Sequence, residues 1–165
     1  MNKEKIAFIP RQYLAVIAVL LAIMMSVLDG TIMNIALPTL AHDFDVTPST
    51  AIWIVNAYQL VITMTLLSFA SLGDIYGYRR IFLIGISIFV GASLACTLST
   101  SFWMLTAARV IQGFGAACVM SVNTALIRLI YPPQILGRGM GVNAMVVAVS
   151  AAAGPSIAGL SLIDI

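Results

Sequence analysis

Polar and apolar positions are strongly segregated along this chain. Five long apolar stretches, at about residues 13–38, 50–72, 81–99, 102–127 and 137–163, alternate with short segments that collect the turn-forming and charged residues. A helix needs roughly 20 mostly apolar residues to cross a ~30 Å hydrocarbon core, so the pattern predicts five membrane-spanning helices. The first stretch follows Lys3, Lys5 and Arg11, as a signal peptide would. Its apolar run is longer than a signal peptide's, no small-residue cleavage site follows, and four more spans come after it. The segment 41–49 carries His42, Asp43 and Asp45, then Thr47-Pro48, which reads as an N-cap followed by proline at the first helical position. The segment 72–80 reads as a loop in which Gly73 and Gly77 let the chain double back. Thr100 and Ser101 form a minimal turn, and Tyr131-Pro132-Pro133 breaks the chain after the fourth span.

Composition agrees and narrows the function classes. Of 165 residues, 61% are hydrophobic and 8% charged, against ~25% charged in an ordinary soluble domain. Eight Lys/Arg, six Asp/Glu and one His cannot coat a globule of this size, which excludes a soluble enzyme, a nucleic-acid binder and a disordered tail. No nucleic-acid partner is expected. Cys96 and Cys118 lie in apolar runs and indicate neither a disulfide framework nor a zinc site. The basic residues set the orientation. Lys3, Lys5, Arg11, Arg79, Arg80, Arg128 and Arg138 fall at the amino terminus and in the second and fourth connections, with none in the first and third. Alternating spans place all seven on one face, which the positive-inside rule makes cytoplasmic. Residues 1–12 are accordingly a cytoplasmic amino terminus, in a multi-pass plasma-membrane protein.

Two charges lie well inside spans. Asp29 is nine residues from the outer end of span one and Arg109 seven from the outer start of span four, depths of ~13 and ~10 Å at 1.5 Å per residue. Each costs about 2.5–3.5 kcal/mol at a helix centre unless paired or wetted. Similar depth makes a direct or water-bridged contact geometrically possible. Arg109, Gln112, Ala116, Met120 and Asn123 share one helical face, and such a stripe must face a cavity or the bundle interior. It reads either as a solute or proton path or as a structural Asp–Arg staple.

A second stripe, Gly113, Ala117 and Ser121, allows close helix approach, as do Ser150, Gly154 and Ala158 beside Ala151, Pro155 and Gly159 in span five. Pro155 removes a backbone bond and predicts a bend. These stripes read as tight packing or as a hinge or seal. Asp74 stands at the cytoplasmic end of span two, where the helix terminus is already partly negative. Arg79 and Arg80 are its candidate donors; another helix's amino terminus, or a solvated loop, are the alternatives. Gly137-Arg138-Gly139-Met140-Gly141 looks like a phosphate loop but opens an apolar helix with no strand before it. Tyr13, Trp53 and Trp103 lie near span ends as interfacial anchors do, and Trp53 is also placed to line a pocket.

Several of these segments fall into one order. The chain resembles the major facilitator superfamily, in particular its drug:proton antiporter branch of about fourteen helices. Leu28-Asp29-Gly30-Thr31-Ile32-Met33-Asn34-Ile35-Ala36-Leu37-Pro38 is similar to that branch's first-helix signature. Leu72-Gly73-Asp74-Ile75-Tyr76-Gly77-Tyr78-Arg79-Arg80 resembles the loop between helices two and three. There Ala70 stands where glycine is usual, and Ile75 and Tyr78 replace frequent basic residues, departures that weaken the latch. Leu105, Arg109, Gln112, Gly113, Gly115, Ala116 and Ala117 match the fourth-helix motif associated with proton coupling. Gly141, Ser150, Gly154, Pro155 and Gly159 resemble the fifth-helix antiporter motif, with Ser150 and Ala158 at usual glycine positions.

The resemblance implies an all-α integral membrane protein, with residues 13–165 forming five helices of an incomplete six-helix amino-terminal bundle. It implies proton-coupled export of cationic or lipophilic small molecules by alternating access, with solute bound between two halves near the midplane. Asp29, Arg109 and Gln112 would couple protons or sense substrate charge. Asn34, Trp53, Tyr58 and Asn123 would line the cavity. Gly73, Asp74, Gly77, Arg79 and Arg80 would gate it, and Gly141, Ser150, Gly154, Pro155 and Gly159 would form the exchange-type seal. No enzymatic activity, metal or cofactor is expected, only a proton gradient as energy source. The expected partners are a small-molecule substrate, protons, the bilayer and the remainder of a longer transporter, without which these five spans would be inactive. Two other readings stay open: a five-span scaffold or assembly subunit stapled by Asp29 and Arg109, and a uniporter or importer, which the Gly154-Pro155 motif disfavours.

Overall fold

The computed structural model describes residues 3–131 and 133–163, with side chains for 14–131 and 133–156. Five helices follow in order: α1 (Lys3–Asp43), α2 (Pro48–Tyr76), α3 (Tyr78–Thr97), α4 (Phe102–Ile130) and α5 (Leu136–Ile163). All five are long and apolar enough to cross a membrane. In hydrocarbon each backbone N–H and C=O must be satisfied within its own segment, so spans this apolar adopt helix.

The helix ends follow local chemistry. Thr47 caps α2, its hydroxyl accepting from the Thr50 amide at 3.3 Å, with Pro48 at the first helical position. Ser101 caps α4 in the same way through the Met104 amide. Two boundaries differ from expectation. α1 runs on through Pro38 to Asp43 rather than stopping at the proline. Proline removes a single intrahelical donor, and backbone bonds from Phe44 to Leu40 (3.1 Å) and Val46 to Ala41 (3.0 Å) close the end beyond it. The 72–80 segment is hardly a loop at all, since α2 extends to Tyr76 and α3 begins at Tyr78. Gly77 alone makes the turn, with φ +93° and ψ 130°, a conformation that residues with a Cβ rarely adopt. Gly73 is helical and buried, and a Cβ there would meet the Tyr78 ring and Val122, both at 2.9 Å.

α4 is the central helix and packs most extensively against α3 and α2, while α5 packs chiefly against α1. The bundle is therefore a trio, α2–α3–α4, beside a pair, α1–α5. Glycines decide how closely the helices approach. A Cβ on Gly115 would lie 2.6 Å from the Phe89 amide nitrogen, and one on Gly85 would lie 2.6 Å from the Cys118 Cβ. α3 and α4 thus cross backbone against backbone. Gly113 faces α2, where an added Cβ would come within 3.0 Å of the Tyr58 carbonyl. At one end of the bundle, Val19 and Ile23 of α1 pack with Ile81 and Phe82 of α3 and Val119 and Val122 of α4. At the other end, Ile54, Phe102 and Leu105 form a second core against Met33 and Leu40.

Candidate functional site

The two intramembrane charges meet where the trio and the pair adjoin. Arg109 Nη1 donates to Asp29 Oδ2 at 2.7 Å and to Gln112 Oε1 at 2.6 Å, while Gln112 Nε2 donates to Asp29 Oδ1 at 3.0 Å. The result is a closed triangle between α1 and α4. Arg109 is 1% exposed and Gln112 0%; the Asp29 side chain keeps 20% of its surface. The guanidinium carbon lies 4.5 Å from the centre of the Tyr58 ring, a cation–π contact that brings α2 into the site. The Cys96 thiol of α3 donates to Gln112 Oε1 at 3.7 Å. Arg109 Nε and Nη2 are buried without a hydrogen-bond partner among the described residues. An orphaned buried donor costs about 1–3 kcal/mol, so this guanidinium is held by a few strong contacts and is far from fully satisfied.

Asn34 and Tyr58 line a cavity of about 390 Å³ between α1, α2 and α4. Its α1 wall is Ser26, Val27, Gly30, Thr31 and Asn34, and its α2 wall runs from Val55 to Ile62. Two residues expected on this wall stand elsewhere. Trp53 is 55% exposed and borders a neighbouring groove with Asn56, Gln59, Leu60 and Thr63. Asn123 is buried and donates from its amide to Asn143 of α5 at 3.2 Å, tying α4 to α5. Sequence reasoning passed over Asn56 and Gln59, whose spacing of three from Trp53 to Asn56 to Gln59 is the signal that they share a helix face. Asp29 borders a different space, an apolar crevice between α1 and α3 with Leu28, Ile32, Phe89 and Ser93.

At the turn between α2 and α3, the partner of Asp74 is neither arginine. The Tyr78 hydroxyl donates to the Asp74 carboxylate, while Arg79 and Arg80 are exposed and make no ion pair among the described residues. Gly77 puts the two helix ends back to back, so position 78 reaches position 74 across the break. The tyrosine counted as a weakening departure thus supplies the donor itself.

In α5, Ser150 is buried and its hydroxyl donates to the Val146 carbonyl at 2.7 Å. Gly154 abuts Thr31 of α1, where an added Cβ would fall 2.6 Å from the Thr31 Cβ and nearer still to its Oγ1. Pro155 lies inside the helix. Gly141 has open space around it. Gly159 lies outside the residues whose side-chain surroundings are described.

The Major Facilitator Superfamily profile matches residues 19–164. The chain therefore belongs to the major facilitator superfamily of membrane transporters. It is 59% identical over 150 residues to the uncharacterized transporter YebQ of Escherichia coli (strain K12), covering 91% of this chain and 33% of that protein. It is 35% identical over 152 residues to the riboflavin transporter RibZ of Clostridioides difficile (strain 630), covering 92% of this chain and 33% of RibZ. The drug efflux pump JefA of Mycobacterium tuberculosis is 39% identical over 152 residues, 92% of this chain and 30% of the pump. The chain spans about a third of the length of these curated relatives.

Proposed function

We propose that these helices belong to a proton-coupled exporter of small lipophilic molecules, working by alternating access in a bacterial inner membrane with the amino terminus in the cytoplasm. The observation that carries this reading is the buried guanidinium of Arg109, joined at once to Asp29 and Gln112. With Asp29 ionised, the pair is neutral and α1 is tied to α4. A proton taken up by Asp29 removes the counter-charge and leaves the arginine buried and uncompensated. Breaking one side of a buried pair costs about 3–5 kcal/mol. Swinging a two-state equilibrium from 1:99 to 99:1 takes about 5.5 kcal/mol, so one protonation here supplies most of what a conformational switch needs. Asp29 sits on the same helix as Asn34 of the cavity wall and Thr31 of the α5 contact, so a shift of α1 is felt at both. The names of JefA and RibZ support a small-molecule cargo, and the segregation of the basic residues supports the orientation.

Asp29→Asn keeps the size and hydrogen-bonding reach of the side chain but cannot take up a proton. Inverted membrane vesicles carrying the intact transporter with this substitution should show normal insertion and no accumulation driven by a pH gradient. Gradient-driven accumulation at the parent rate would show that Asp29 is a structural staple and not the coupling group.

A further inference from the structure

We propose that the face shared by α1 and α2 selects uncharged, planar heterocycles that carry amide or imide edges. The inference rests on the transport reading above and concerns what the cavity accepts. Among the described residues, no ionisable acid or base lines the cavity apart from the phenol of Tyr58. Asp29, on the same helix as the α1 wall, has both oxygens engaged by Arg109 and Gln112 and borders the crevice between α1 and α3 instead. A cation entering the cavity would shed water without meeting a counter-charge, which is costly in a low-dielectric setting. What the walls offer instead is carboxamides. Asn34, Asn56 and Gln59 all line the space and all are exposed to it.

Their hydrogen-bonding capacity is largely uncommitted. The Asn34 amide nitrogen donates to the Gly30 carbonyl at 2.9 Å, which leaves its oxygen open to a ligand, and the side-chain amides of Asn56 and Gln59 face open space on both the cavity and the neighbouring groove. A carboxamide presents a donor and an acceptor side by side, the complement of the N–H and C=O on a cyclic amide or imide. Hydroxyls at Ser26 and Thr31 do not compete, because each is turned back to its own helix. One turn outward from Asn56, the exposed indole of Trp53 borders the same groove as both α2 amides, and its flat face is suited to stacking against a ring.

Three tricyclic probes of similar size separate the possibilities: lumiflavin (uncharged, with an imide), 3-methyllumiflavin (no imide N–H) and proflavine (cationic). Binding to the purified intact transporter should favour lumiflavin over both others. The methyl compound should bind roughly three- to ten-fold more weakly, the range of one net hydrogen bond. Asn56→Leu and Gln59→Leu should each weaken lumiflavin binding by a similar roughly three- to ten-fold factor. Asn56→Asp, which adds a charge to an exposed position, should move the preference toward proflavine. Tighter binding of proflavine than of lumiflavin by the parent, no measurable lumiflavin binding, or an unchanged preference in Asn56→Asp would each overturn the inference. The coupling reading fails separately. Lumiflavin bound selectively, yet never accumulated under a pH gradient, refutes proton-driven export and leaves the selectivity standing; gradient-driven transport of proflavine alone does the reverse.

Discussion

Gly154→Ala adds one methyl group at the contact between α1 and α5. The new Cβ would fall 2.6 Å from the Thr31 Cβ, where carbon atoms ordinarily meet at ~3.5–4.0 Å. Thr31 cannot step aside, because its Cβ is fixed by the α1 backbone and its hydroxyl bonds the Val27 and Leu28 carbonyls at 3.2 and 2.9 Å. α5 must therefore retreat by about 1 Å, the difference between those separations. Since α5 packs chiefly on α1 and only lightly on α4, no second interface absorbs the shift. Overpacking of this kind costs typically about 1–3 kcal/mol, and each kcal/mol lowers the melting temperature by roughly 2–4 °C in a unit of 150–250 residues. Thermal unfolding in detergent reads this directly, and proton leak into vesicles reads whether the seam also seals. The control is Thr31→Gly, which removes the opposing Cβ at a helix cost of about 0.5–1 kcal/mol. Alone it should destabilise; combined with Gly154→Ala it should raise the melting temperature above that of Gly154→Ala. Gly154→Ala melting with the parent, or the two losses simply adding, would refute the packing argument.

Arg109→Lys retains the charge but ends on a shorter stem, so its ammonium falls short of the point from which Nη1 serves both Asp29 and Gln112, and it loses the flat guanidinium set against the Tyr58 ring. Since a charged hydrogen bond contributes about 1.5–3 kcal/mol, initial rates of gradient-driven transport should fall roughly ten-fold or more; parent rates would show that charge alone suffices. Tyr78→Phe deletes only the hydroxyl that serves Asp74, a loss of about 0.5–1.5 kcal/mol. Amide hydrogen exchange over residues 74–80 should speed up while the rest of the bundle is unchanged, and identical exchange would mean that Asp74 is held by another group.

Much of this molecule was legible in its sequence for reasons that are local. Runs of apolar residues long enough for the bilayer force helices, since oil offers backbone groups no other partner. Thr47 and Ser101 cap their helices through amides three residues on, so a short window of sequence contains both donor and acceptor. Depth was also readable, because the 1.5 Å rise converts residue counts into level, and Asp29 and Arg109 came out close enough to meet. Two boundaries were exceptions: the 72–80 segment is helical except at Gly77, and bonds from Phe44 and Val46 carry α1 past Pro38, since proline's effect depends on what its neighbours can recover.

The choice of partners belonged to the tertiary structure. Level does not specify rotation, and whether Arg109 turns to Asp29, to lipid or to another helix depends on how α1 and α4 are rotated about their axes. The same holds for Asn123, which reaches Asn143 rather than the cavity, and for which helix meets which small residue: α3 crosses α4 at Gly85 and Gly115, while Gly113 of the small-residue stripe faces α2. Asp74 had two arginines nearby in sequence, yet the break at Gly77 delivers the Tyr78 hydroxyl instead. Helix identity is written in neighbours along the chain. Helix contacts depend on rotations and ångström-scale approaches among residues far apart in the chain, such as Thr31 and Gly154, which only the packed bundle sets.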